Sequence, residues 1–312
     1  MNRRDLLKKS AALSFMAAIP FSRSLTSADA ESSQSSIAVG KTATAPSKLK
    51  PPADGIPVAF LISDGAVVID FCGPWEIFGN VMPGGRMGAF RLYTVSETAK
   101  PVTASGGMKI IPDYTLETAP TPKVIVIPAQ NNSSEAVLGW IRKSSKAADV
   151  TMSVCTGAYL LAQTGLLAGK AATTHHAAYV DFALKFPDIR VVRGVRFVED
   201  GNLASSGGLF AGMDLALRVV ERYYGQEVAT QTAYDVEYQS QGWLNPDSNA
   251  EYLKVRTTSA NNHPLCAVCS MDTDPAIAPS VYKGKTYYFC LRAHKAQFDA
   301  NPEPFVAVLD KK

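Results

Sequence analysis

Ser153-Val154-Cys155-Thr156-Gly157-Ala158 is the stretch best suited to chemistry. Residues 150–154 read as a short buried strand. Ala158 to Leu167 carry apolar residues at helical spacing, so a small-residue turn must join strand to helix. Such a bend lifts its residue out of the sheet and projects the side chain into a crevice. Here that residue is a cysteine, a nucleophile in its thiolate form. The positive N-terminal end of the following helix is expected to favour thiolate over thiol. The alternative is a structural cysteine, since free Cys is among the most buried residue types.

A second constellation lies near the C-terminus. Cys266 and Cys269 are spaced C-x2-C, and Cys290 and His294 follow as C-x3-H. Two cysteines on one turn, with a Cys and a His one helical turn apart, can converge tetrahedrally on a divalent metal, with zinc the expected ion. The alternative is a Cys266–Cys269 disulfide with the other two incidental. The remaining cysteine, Cys72, makes the total odd, which suits a metal site plus free thiols better than a disulfide framework. His263 reads as a solvated loop residue, with a substitute metal ligand as the alternative.

The elements around these sites follow from hydrophobic patterning. Ile56–Ile62, Phe90–Val95, Lys123–Pro128 and Val150–Val154 are apolar runs suited to parallel strands covered on both faces. Helices are expected at Trp75–Phe78, at Ser133–Lys146 with Ser133 as cap, at His176–Phe186 before Pro187, at Phe210–Tyr224 and at Gln226–Tyr238. Ile189–Val198 and Leu203–Ser205 read as a hairpin-like pair about Asp200-Gly201-Asn202. This alternation predicts an α/β fold with a doubly wound, mostly parallel sheet, with its site beyond the carboxyl ends of the strands. Residues 31–54 and 245–262 are polar and read as linkers, the first of them flexible.

Length bounds the rest. The 312 residues suggest two modules, with 46% hydrophobic and 19% charged residues. The net charge of +3 is matched by Arg3, Arg4, Lys8 and Lys9 against Asp5, so the remainder is near neutral and no nucleic-acid partner is expected. Asn2-Arg3-Arg4-Asp5-Leu6-Leu7-Lys8, an apolar run from Ala11 to Phe21 and Ala28-Asp29-Ala30 resemble a twin-arginine signal. That resemblance implies cleavage after Ala30 and periplasmic export of a folded, metal-loaded chain. The alternative, a membrane anchor, asks that run to do what takes about 20 apolar residues; stable membrane insertion after cleavage is not expected.

Several strings resemble the ThiJ/PfpI superfamily, also called class I glutamine amidotransferase-like, in its isonitrile hydratase branch. They are Ile69-Asp70-Phe71-Cys72-Gly73-Pro74-Trp75-Glu76, Val126-Ile127-Pro128, Ser153-Val154-Cys155-Thr156-Gly157, Ala172-Thr173-Thr174-His175, and Asp200-Gly201-Asn202 through Gly212-Met213-Asp214. The resemblance spans residues 55–244 and implies a flavodoxin-like sheet and a dimer. It makes Cys155 the nucleophile, Asp70 the acid that meets the sulfur, and Thr156 a holder of substrate or water. Gly157, Gln130 and His175 are placed around the substrate. A carboxyl beside a thiolate in an apolar crevice should be protonated, since two adjacent negative charges are costly there. The residue after Cys155 is Thr156, where the peptidases of this superfamily have His, so a Cys-His peptidase is not implied. Ala129-Gln130 stand where the family has Gly-Gly, and a Gln130 side chain is expected to crowd the pocket. Cys72 is a buried or a resolving thiol, and His176 a packing residue.

Cys269-Ser270-Met271-Asp272, Tyr282 to Cys290 and Lys295-Ala296-Gln297-Phe298 resemble the YHS domain, over residues 263–312. That resemblance implies a small metal-binding hairpin-plus-helix module, in which His294 replaces a cysteine and Cys266 is extra. The combined expectation is an exported, cysteine-dependent hydratase or lyase-like enzyme acting on a small electrophilic molecule. No cofactor is expected at the cysteine itself. The other reading is a periplasmic redox or ligand sensor that holds a metal.

Overall fold

The computed structural model describes residues 48–253, 256–259 and 261–309, all within one compact unit, Thr42–Lys312. The leader and most of the first linker lie outside the described residues. No helix among the described residues is long and apolar enough to cross a membrane.

The strands run in chain order as β1 (Ile56–Leu61), β2 (Phe90–Ser96), β3 (Val102–Thr103), β4 (Lys109–Ile110), β5 (Tyr114–Thr115), β6 (Val124–Ile127), β7 (Val150–Ser153), β8 (Ala171–Ala172), β9 (Arg190–Val191), β10 (Phe197–Asp200), β11 (Leu203–Ser206), β12 (Ser280–Tyr282) and β13 (Lys285–Tyr287). The helices are α1 (Val68–Gly79), α2 (Glu135–Ser145), α3 (Gly157–Gln163), α4 (Tyr179–Lys185), α5 (Ala211–Tyr224), α6 (Gln226–Asp235), α7 (Arg292–Ala300) and α8 (Glu303–Leu309).

Seven strands form one sheet in the order β10-β11-β7-β6-β1-β2-β5. All of its pairings are parallel except β10 with β11. The chain starts at β1, winds outward through β2 and β5, then returns to β6 on the other flank. That reversal makes β1 and β6 the topological switch point, where open α/β sheets place their ligands.

The continuous apolar runs bury both faces, as their composition demands. Val58 and Phe60 of β1 and Val124 and Val126 of β6 join one core, which α1, α5 and α6 complete. Ala59, Leu61, Ile125 and Ile127 point the other way, into a second core with α2, α3 and Phe182 of α4.

Three local readings change. The helix after β1 begins at Val68, not Trp75, and carries Pro74 inside it. Its first turn thereby holds Asp70. The α2 cap is Ser134, whose Oγ accepts the Val137 N–H at 3.3 Å, rather than Ser133. Of Ile189–Val198, only Arg190–Val191 and the residues from Phe197 are strand.

The C-terminal hairpin β12–β13 and helix α7 surround a third core of Phe289, Phe298, Tyr287 and the buried cysteines 266 and 269. Val180 of α4 belongs to this same cluster. One helix thus serves two cores, Phe182 on one side and Val180 on the other. The segment read as the second linker is docked as well. The Asn249 side chain donates to the Val195 carbonyl at 3.3 Å, and Tyr252 stacks on His176.

Candidate functional site

Cys155 stands at the bend between β7 and α3 with φ at 58°, a left-handed backbone that a non-glycine residue adopts at a cost. Neighbouring loops hold it there. Its N–H donates to the Gly207 carbonyl at 3.0 Å, and its carbonyl accepts the Thr174 hydroxyl at 3.0 Å. Gly157 makes the bend possible. A Cβ at 157 would lie 2.2 Å from the Ile127 carbonyl oxygen, so α3 can start against the end of β6 only with glycine there. Gly157→Ala is therefore expected to cost about 2–3 kcal/mol, read as a lowered midpoint in denaturant unfolding.

Asp70 comes to the same place from α1 and is fully buried. Its Oδ2 accepts the Ala129 N–H at 3.1 Å, while Oδ1 is buried without a hydrogen-bond partner. A buried carboxylate oxygen is rarely left so, which marks Oδ1 as a group with a proton or a ligand to handle. Burial pushes the Asp70 carboxyl up to about 6, against the pull of the Ala129 N–H.

Burial also pushes the Cys155 thiol up to about 12, and the negative charge of Asp70 adds to it. The Thr156 N–H and hydroxyl and the Leu209 N–H donate towards the sulfur and pull the other way. The expected preference for thiolate is thus overturned: α3 is only seven residues long, and desolvation beside a carboxylate outweighs its N-terminal field. Near neutral pH the pair carries one negative charge and one proton, which belong to the two groups jointly.

The remaining predicted residues fall around this pair. Thr156 stands at the N-cap position of α3 without a capping side-chain hydrogen bond, and is half-buried. Gln130 does not stand free in the crevice: its Nε2 donates to the Leu61 carbonyl at 2.9 Å, closing the end of β1. His175 packs on Gly208, where a Cβ would lie 2.2 Å from the imidazole Cδ2. Its Nδ1 accepts the Ala177 N–H at 3.2 Å, and burial lowers its pKa. His176 lies between His175 and Tyr252, with ring centroids 4.2 and 4.6 Å away, and burial lowers it to about 4. Cys72 is a half-buried free thiol packed on the first core. Sequence reasoning missed Leu209 and the Ala129 N–H. The one signal was Gly207-Gly208, which frees the loop to bring the next amide to the sulfur; Leu209 has φ at 51°.

The C-terminal cysteines and histidine also meet. One donor atom from each of Cys266, Cys269, Cys290 and His294 lies within 4.8 Å of the others. Cys290 Sγ is 3.3 Å from His294 Nδ1, Cys269 Sγ is 3.4 Å from Cys290 Sγ, and Cys266 Sγ is 3.6 Å from His294 Nδ1. A tetrahedral ion with metal–sulfur bonds of about 2.3 Å has ligand edges of about 3.8 Å, so the four donors fit such an ion. All five cysteines are free thiols, which removes the Cys266–Cys269 disulfide. The hydrogen bond with Cys269 holds the Cys266 thiol well below the usual range, and the same contact drives Cys269 up. One thiolate therefore forms first within the cluster.

A mostly parallel sheet with its acid after β1 and its cysteine after β7, at the carboxyl ends of the strands flanking β6, defines a class, and the sequence places the chain in it. The DJ-1/PfpI family model matches residues 57–222, more than half of the chain, which therefore belongs to the DJ-1/PfpI family. Among its relatives, an isonitrile hydratase of Pseudomonas putida is 32% identical over 186 residues, 58% of this chain and 78% of the relative. The HTH-type transcriptional regulator CdhR of Pseudomonas aeruginosa is 28% identical over 172 residues, 54% of this chain and 50% of the regulator. The chain thus spans half of that regulator. In fold, a ThiJ/PfpI family protein from Pseudomonas syringae superposes with a TM-score of 0.55 at 23% identity, over 82% of this chain and 89% of that one. Drosophila melanogaster DJ-1beta superposes at 0.52 and 18% identity, over 60% of this chain and all of that one.

Proposed function

We propose that this chain is a cysteine-dependent hydratase of small electrophilic molecules, with isonitriles as the first class to test. The observation that carries the reading is the unpartnered Asp70 oxygen, buried beside the Cys155 thiol. The likeness to an isonitrile hydratase supports it.

In this scheme Asp70 takes the thiol proton as sulfur bonds to the isonitrile carbon, and hands that proton to the same carbon. The product is a thioimidate on Cys155. Asp70 then takes a proton from water as the water oxygen bonds to that carbon, and the proton passes to nitrogen. The tetrahedral adduct collapses to an N-substituted formamide. Its hydroxyl proton returns to sulfur as the carbon–sulfur bond breaks. The N–H groups of Thr156 and Leu209 stabilise charge developing around the sulfur and carbon. A panel of alkyl and aryl isonitriles offered to the purified chain should yield formamides; a panel with no turnover would sink the reading.

Asp70→Asn separates catalysis from stability. Turnover should fall by roughly a hundredfold or more, and the wild-type rise in rate through about pH 6 should vanish with it. Stability should move the other way. The raised pKa of Asp70 means that the folded state binds its proton more tightly than the unfolded state. Its favourable contribution is complete below about pH 4 and is lost as pH rises through about 6. Denaturant unfolding should therefore show Asp70→Asn gaining about 3 kcal/mol on wild type between pH 3.5 and pH 8.

The second reading is a sensor. The regulator relative favours it. Peroxide treatment followed by mass spectrometry separates the two: a ready sulfinate on Cys155 with no turnover favours sensing.

We further propose that residues 263–312 form a YHS-like zinc module, that residues 245–262 join it to the first, and that the chain assembles as a homodimer. Export to the periplasm by the twin-arginine route rests on Arg3-Arg4. Replacing both with lysine should leave the product in the cytoplasm, read by fractionation.

A further inference from the structure

The helix that carries one ligand of the Cys3His cluster is linked, through a side chain of α4, to α3, the helix that follows Cys155. His294 lies on α7, and Gln297 follows it three residues later, so the two share a face of the helix. Gln297 Nε2 donates to Asp181 Oδ1 at 2.7 Å. The other oxygen of the same carboxylate, Asp181 Oδ2, accepts the Tyr159 hydroxyl at 2.7 Å. Tyr159 stands on α3, two residues beyond the start of the helix whose first turn faces the sulfur. Lys185 fixes the junction further, with Nζ 3.2 Å from Asp181 Oδ2 and 5.4 Å from the centre of the Tyr159 ring. Apolar packing runs beside this polar line, since Val180, next to Asp181, sits in the core that contains Cys266 and Cys269.

We propose that metal loading of Cys266, Cys269, Cys290 and His294 controls the reactivity of Cys155 through the line Gln297–Asp181–Tyr159. A bound ion ties the Cys266–Cys269 turn to the start of α7 and so fixes where Gln297 meets Asp181. With Gln297 in place, Asp181 holds Tyr159, and α3 keeps its first turn closed on the sulfur. Loss of the ion frees α7, releases Asp181 and lets the bend at Cys155 open to solvent and reagents. Two separate sites, one shared element and a differential contact give the coupling its physical content. This rests on the metal reading above and is independent of any hydratase activity.

The test uses the full chain, loaded with zinc or stripped with a chelator, and follows iodoacetamide labelling of Cys155 by peptide mass spectrometry. Zinc loading should slow labelling of Cys155 by at least about fivefold. Tyr159→Phe keeps the ring contacts with Phe182 and Phe186 but removes the hydroxyl. It should bind zinc with unchanged stoichiometry while the loaded-to-stripped ratio falls to about one. A ratio near one in the zinc-loaded wild type would overturn the coupling alone, as would a full ratio in Tyr159→Phe. A wild type that takes up no zinc would overturn the coupling and the metal reading together.

Discussion

Alanine at position 155 is expected to lower formamide production by at least about a thousandfold while the protein stays folded. Cys155 is the group that bonds to carbon in the proposed scheme, and nothing else at the bend replaces a sulfur nucleophile. Losing one small, nearly buried side chain leaves the hydrogen bonds of the bend in place. The Gly207 carbonyl still accepts the backbone N–H, and Thr174 still bonds the carbonyl. Circular dichroism and the unfolding midpoint should stay close to wild type while steady-state turnover is lost. Serine at 155 separates nucleophilicity from shape, because its hydroxyl is far harder to deprotonate than a thiol; it should be as inactive as alanine. Turnover by Cys155→Ala above about one tenth of wild type would remove covalent catalysis from the reading.

Removal of the proposed metal is expected to be the second large effect. The proposed C-terminal module of about fifty residues has little core of its own, and modules of that size usually need a metal or disulfide staple. Its core here centres on Phe289 and Phe298 and includes two of the ligating cysteines. Structural zinc sites contribute on the order of 10 kcal/mol or more of folding free energy, so losing the ion should unfold this part selectively. A chelator should make residues 263–309 sensitive to protease while the seven-stranded sheet keeps its protection. Cys290→Ser removes one ligand of four and should weaken zinc binding by about a hundredfold or more, read in a competition titration. An unchanged protease pattern after verified metal loss would refute the structural role.

Much of this was legible in the chain alone, for identifiable reasons. The runs Ile56–Ile62 and Lys123–Pro128 lack polar alternation, so only strands covered on both faces suit them, and β1 and β6 are those strands. The small-residue turn after Cys155 was legible as a bend, while the close approach of the Ile127 carbonyl that requires Gly157 there came only from the structure. The spacing of Cys266, Cys269, Cys290 and His294 already implied convergence, and the four donors meet.

Other features depended on neighbours distant in sequence. Helix α1 starts at Val68, where Ser105 Oγ accepts the Val68 N–H at 3.0 Å from 37 residues away. Local pattern cannot contain that bond, so the start was misplaced at Trp75. The direction of the Cys155 pKa was misjudged for the same reason. A helix end is a local feature, whereas burial in a crevice and the nearby charge of Asp70 are properties of the assembled core. The amide of Gln130 turned to Leu61 because β1 ends beside it, and the Leu209 amide reached the sulfur because Cys155 bonds to Gly207.

Residue types and their spacing, then, determined which groups could do chemistry and which elements carry them, since hydrophobic period and steric need are written locally. Tertiary structure alone decided the protonation of Cys155, the pairing of Asp70 with Ala129, and the line of contacts from His294's helix to the bend. Burial, charge proximity and hydrogen-bond partners all arise from residues far apart in the chain, which only the folded core brings together.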